Sequence, residues 1–115
     1  MVRNSIVLVP FPFDDFSDSK VRPAVCLTNQ IGKYESVVIA FISSKIPKEL
    51  LESDLLIRMN SDNWEGTGLS VDSVIRLHKI VSVPASIIKR KLGSVNQATQ
   101  NEIKAKFLKL FEFER

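Results

Sequence analysis

The sequence predicts a mainly β fold, a small and strongly curved antiparallel sheet or barrel with one helix at its C-terminal end. Three observations carry that expectation. Short apolar runs recur along most of the chain, with Pro, Gly, Asn or Asp in many of the breaks between them. Only the last stretch has helical spacing, with Ile103, Phe107, Leu110 and Phe111 recurring at four, seven and eight residues. At 115 residues, the chain has the length of a single domain, 1–115.

In chain order, Ile6 to Val9 is a continuous run rich in β-branched residues, which reads as a strand. Pro10 and Pro12 cannot donate to a ladder, so this strand ends there or lies at an edge. Phe11 and Phe13 alternate with the prolines. Residues 14–21 are polar and acidic and read as a solvated loop. Ala24 to Thr28 predicts a second strand, followed by a turn at Asn29–Lys33. Ser36 to Ser43 predicts a third, apolar on both faces and therefore central. Pro47 to Leu51 suits a short helix with Pro in its first turn. Further strands are expected at Asp54–Met59, Val71–Leu77, Ile80–Val83 and Ile87–Leu92. A Gly- and Asn-rich loop, 60–68, falls between the first two of these. The helix is expected from Ser94 or Asn96, with Ser94 and Gln97 at capping-box spacing.

Composition excludes several classes. The single cysteine, Cys26, allows no internal disulfide and lies in an apolar run, as a small buried hydrophobe would. No run approaches the roughly 18 apolar residues of a membrane span. Met1–Ser5 has no long apolar core behind it, so no signal peptide is expected, and the expected compartment is the cytoplasm. With one His, one Cys and no pairs at ligand spacing, neither a metal site nor a cofactor is expected. No Gly-rich phosphate loop is present. A net charge of +3 suits a nucleic-acid partner.

The chemistry points to the exit of the first loop, where Lys20-Val21-Arg22-Pro23-Ala24 opens the second strand. Two cations at the mouth of a strand make a natural phosphate site, and Arg brings forked donors. Ser43 and Ser44 close the third strand with hydroxyls. Arg76 and His78 are two apart on one strand and share a face. Each has a plain structural reading as well: a surface arginine paired with Asp14 or Asp15, a serine capping a turn, a solvated lysine, an exposed strand histidine. Trp64 suits a plug at one end of a small barrel, or a base-stacking platform. Lys89-Arg90-Lys91 suits a solvated edge that repels strand addition.

These segments together resemble the PemK/MazF family of toxin endoribonucleases. The resemblance is carried by the run from Pro10-Phe11-Pro12-Phe13-Asp14 to Arg22-Pro23-Ala24, by Phe41-Ile42-Ser43-Ser44, by Gly68-Leu69-Ser70-Val71-Asp72-Ser73-Val74-Ile75-Arg76, and by Leu92-Gly93-Ser94-Val95 before the helix. The blocks stand in the family's order across nearly the whole chain. The resemblance implies an SH3-like barrel, commonly dimeric, and a metal-independent, sequence-selective cleavage of single-stranded RNA. It implies catalytic roles for Arg22 and for Ser43, which stands where the family has Thr. RNA contacts are implied or suggested at Lys20, Ser44, Arg76 and His78, the last where relatives often carry Asp. The implied partners are RNA, a second copy of the chain, and an antitoxin with a disordered, usually acidic tail. Two other functions suit the same fold: a catalytically silent partner-binding module, and a gyrase poison. Gyrase-poisoning relatives end in Trp-Gly-Ile, whereas this chain ends Phe113-Glu114-Arg115.

Overall fold

The computed structural model describes residues 2–10 and 20–112. Residues 11–19 of the expected loop, with Phe11, Phe13, Asp14 and Asp15, lie outside the described residues. Among the described residues, six antiparallel strands form one sheet and a single α-helix follows. The strands are β1 (Ser5–Pro10), β2 (Val21–Cys26), β3 (Ser36–Ser43), β4 (Asp54–Ile57), β5 (Ser73–Pro84) and β6 (Arg90–Ser94), and the helix is α1 (Gln97–Leu110). The order across the sheet is β4-β5-β3-β2-β1-β6, so β3 is central, as its two apolar faces require. The expected mainly β class with a C-terminal helix is what the chain adopts.

Neighbouring residues on the central strands enter opposite faces, and both faces are buried. Ile6, Val25, Ala40, Ile42, Ile75 and Leu77 join one core cluster, onto which Ile103, Phe107 and Trp64 pack. Val7, Val9, Ala24, Cys26, Ile39 and Phe41 join the other, against the segment that holds Ala85, Ile87 and Ile88. The two faces follow from the period-2 alternation of strands. Burial pushes the Cys26 thiol up to about 11, which suits packing and not nucleophilic work. Trp64 donates Nε1–H to the Leu69 carbonyl at 2.8 Å while its ring covers the core, the plugging role. Lys89 to Lys91 are exposed where the chain enters the edge strand β6. No described helix is long and apolar enough to cross a membrane.

Several expected boundaries are corrected. Residues 47–51 form no helix; a five-residue stretch cannot offset the cost of nucleation without packing, and Leu50 and Leu51 are exposed. β4 stops at Ile57. The two strands expected at 71–77 and 80–83 are one 12-residue strand, β5. Its pairing with β3 jumps from Ile42↔Ile75 to Ala40↔Ile80, so residues 76–79 bulge out instead of ending the strand. The last strand is shifted to Arg90–Ser94 by its register with β1, and a 3-10 turn, Ala85–Ile87, precedes it. Ser94 therefore belongs to a strand and makes no capping box. Asn96 caps α1, accepting from the Thr99 N–H at 2.9 Å. Leu110 and Phe111 at the end of the apolar stripe are exposed, though Phe111 stacks on Phe107 at 5.9 Å.

Candidate active site

β2 begins at Val21, three residues earlier than expected, and this places the site. Val21, Arg22 and Pro23 pair with β1, Arg22 lying opposite Val9. The ladder to β3 starts only at Ala24↔Phe41. Pro23 has no N–H to give to β3, a physical reason for the ladder to stop. Continuing that register by two residues sets Arg22 opposite Ser43. The strands are thus aligned there without being bonded, and a notch opens between them.

On its other side β3 meets the bulge of β5. Together these features line a pocket of about 150 Å³ with Arg22, Phe41, Ile42, Ser43, Ser44, Lys45, Arg76 and Lys79. Among the described lining residues, four side chains are cationic, two carry hydroxyls and none is acidic. A larger cavity of about 410 Å³ adjoins it and shares Arg22, Ile42 and Ser44. Arg22 is half-buried, so its charge acts where water screens it less than at an open surface.

The Ser43 hydroxyl accepts the Lys45 backbone N–H at 3.0 Å. That is the turn-capping geometry of a strand-end serine. It also fixes the oxygen in place, with a hydroxyl proton to donate; the contact back to the Lys45 carbonyl is long, 3.5 Å. Arg76 is held through Nε by the buried carboxylate of Asp54 at 2.6 Å.

His78 and Arg76 flank the buried Leu77 and both turn away from the core. His78 does not line the pocket. Its Nδ1 shares a 2.7 Å hydrogen bond with Ser53 Oγ. Partial burial holds its pKa below the ordinary histidine value, helped by the Arg76 and Lys79 charges and opposed by Asp54. Lys20 is exposed two residues before Arg22 and also lies outside the pocket lining. The structure thus brings Arg22, Ser43, Ser44 and Arg76 together and leaves Lys20 and His78 outside the lining, His78 next to Lys79, which belongs to it.

Lys45, Lys79, Ser53 and Asp54 were not among the expected site residues. Lys79 offered a signal: it has the parity of Ile75 and Leu77, which are buried, so regular alternation would turn a lysine into the core. The bulge is what brings it out.

The chain matches the model of the PemK-like, MazF-like toxins of type II toxin–antitoxin systems over residues 2–111. No curated protein shows a significant match. Among solved structures it is similar to the Mycobacterium tuberculosis toxin MazF-mt6, at 17% identity and TM-score 0.73, with 96% of this chain and 99% of that one covered. An endoribonuclease in complex with its cognate antitoxin, from a mycobacterial species, aligns at 13% identity and TM-score 0.72, covering 100% of this chain and 98% of that one. A further mycobacterial endoribonuclease aligns at 14% identity and TM-score 0.70, covering 100% and 94%.

Proposed function

Because the chain belongs to the PemK-like, MazF-like toxins of type II toxin–antitoxin systems, we propose that it is an endoribonuclease that cleaves single-stranded RNA without a metal, at selected sequences. The observation that carries this reading is the pocket lined by Arg22, Lys45, Arg76 and Lys79 together with two serine hydroxyls, with no carboxylate among the described lining residues. A phosphodiester in that pocket meets forked donors and a fixed hydroxyl. The ribose 2′-OH attacks the adjacent phosphorus and loses its proton to a base. The bond from phosphorus to the 5′-oxygen breaks, and that oxygen takes up a proton. The products are a 2′,3′-cyclic phosphate and a 5′-hydroxyl. Arg22 and Arg76 stabilise the extra charge on the pentacovalent phosphorus, the term that donors placed beforehand supply best. Ser43 donates its hydroxyl proton to a phosphate oxygen.

The reading includes a homodimer, a cytoplasmic setting and an antitoxin whose acidic tail neutralises the cationic groove. Support for the antitoxin is the family itself and the solved neighbour that is bound to its own. The test is cleavage of a mixed-sequence RNA transcript by purified protein in EDTA, with the ends identified chemically. Cleavage leaving cyclic phosphates supports the enzyme. RNA or partner binding without cleavage supports the silent module in its place.

Two variants probe the roles. Ser43→Ala is expected to slow cleavage by one to two orders of magnitude, about 1.4 to 2.7 kcal/mol. Ser43→Thr, which restores the family's residue, keeps or raises the rate. If alanine is silent in single-turnover assays, Ser44 or water supplies the hydroxyl.

His78 is the candidate base. That role requires Nδ1–H to donate to Ser53 Oγ, so that Nε2 carries the lone pair. With its pKa lowered, the neutral form persists below the ordinary value near 6.5. The acid limb of kcat/KM, which reports the free enzyme, is therefore expected to fall below pH 6.5. His78→Ala removes that limb and depresses cleavage more than RNA binding, and His78→Asp is tolerated. An unchanged rate and profile in His78→Ala would place proton transfer elsewhere.

A further inference from the structure

We propose that Asp54 is the positioning residue of the site: its buried carboxylate aims Arg76 at the phosphate. The inference rests on the endoribonuclease reading for its consequence, but its geometry stands apart from it. Arg76 lies on the bulge of β5, where the backbone is not paired to β3, so the β3 ladder does not fix its direction. Its backbone is paired only with β4, and that ladder does not by itself fix where the long side chain points.

Asp54 fixes that direction. Its side chain is fully buried, and Arg76 keeps only 19% exposure. One carboxylate oxygen accepts Arg76 Nε–H at 2.6 Å, and the other accepts the Leu51 backbone N–H at 2.9 Å. Both oxygens are therefore engaged, and the carboxylate cannot swing. The residues are direct partners across β4 and β5, which keeps the contact short.

The side of the guanidinium that Asp54 takes matters. A carboxylate gripping the two terminal nitrogens would use the fork that phosphate needs. Asp54 takes Nε instead. Among the described residues, neither terminal nitrogen makes another hydrogen bond or ion pair, and Arg76 lines the pocket. The grip leaves a planar fork available for two-point contact with a phosphate.

The rival account is an ion pair that only ties β4 to β5. A double-mutant cycle on the full chain separates the two. Single-turnover cleavage of a mixed-sequence RNA transcript is measured for Asp54→Asn, Arg76→Gln and the double variant, beside thermal unfolding. The expected result is a 10- to 100-fold slower rate for Asp54→Asn and a double variant no slower than Arg76→Gln. Rates that multiply in the double variant, or a wild-type rate in folded Asp54→Asn, overturn the proposal. Should Asp54→Asn fail to fold, Asp54→Glu keeps the charge and displaces it by one methylene. A slower rate in that folded variant supports positioning, and a wild-type rate overturns it. If the wild-type chain cleaves no RNA, the endoribonuclease reading fails. Positioning is then read from the Arg76 Nε–H resonance in the intact protein. Slow exchange with solvent supports the grip, and rapid exchange overturns it.

Discussion

Replacing Arg22 with alanine is expected to slow RNA cleavage by about a thousandfold, the upper end of what one preorganised donor contributes. The fold should survive. Val21–Pro23 pairs only with β1, and the ladder to β3 begins at Ala24, so no backbone bond depends on this side chain. Among the described residues, Arg22 is also the cationic side chain common to the pocket and its larger neighbour, so an RNA strand crossing either meets it. Arg22→Lys should recover little, because an ammonium keeps the charge without the planar fork. Single-turnover rates with circular dichroism decide the matter. A folded Arg22→Ala chain that cleaves at the wild-type rate would remove Arg22 from the chemistry.

The strands were legible wherever local chemistry alone decides. β1 and β3 are apolar runs with clear stops, and α1 is the one helical periodicity. The pocket was less legible because it is made by register and by two irregularities. Arg22 and Ser43 were named from motifs, but their alignment depends on where the β2–β3 ladder stops, at a proline whose effect is felt on one side only. Lys79 was missed because a bulge defeats period-2 reading. Asp54 was missed because an acidic residue at a strand start reads as solvated. Its burial is possible only because Arg76, 22 residues away, neutralises it. Residues 47–51 show the converse, a local helix signal with no packing to support it.

A large stability effect is expected at Gly93, where an added methyl group meets main chain. β4 and β6 are the two outer strands of the sheet, and the loop after β4 crosses onto β6. Ser94 N–H donates to the Gly66 carbonyl at 2.8 Å in this crossing. A Cβ at Gly93 would overlap the Gly66 carbonyl oxygen and the Thr67 backbone, while one at Gly68 would overlap the backbone of Leu92. Backbone atoms cannot turn aside as a side chain can, so the crossing itself must separate. Gly93→Ala is expected to cost about 3 kcal/mol or more, the upper range of overpacking, and to lower Tm by about 10 °C or more. Two further variants divide the cause. Gly32 has φ +73 with nothing within 4 Å of an added Cβ, so Gly32→Ala isolates backbone strain, on the order of 1 kcal/mol. Gly68 has φ +76 and the overlap as well, so Gly68→Ala should be at least as costly as Gly93→Ala. The crossing also bears on the site, since Gly68, Leu69 and Leu92 wall the cavity beside Arg22. Thermal unfolding of the three variants measures the order. A Gly93→Ala chain as stable as wild type would mean that the loop and β6 do not meet backbone to backbone.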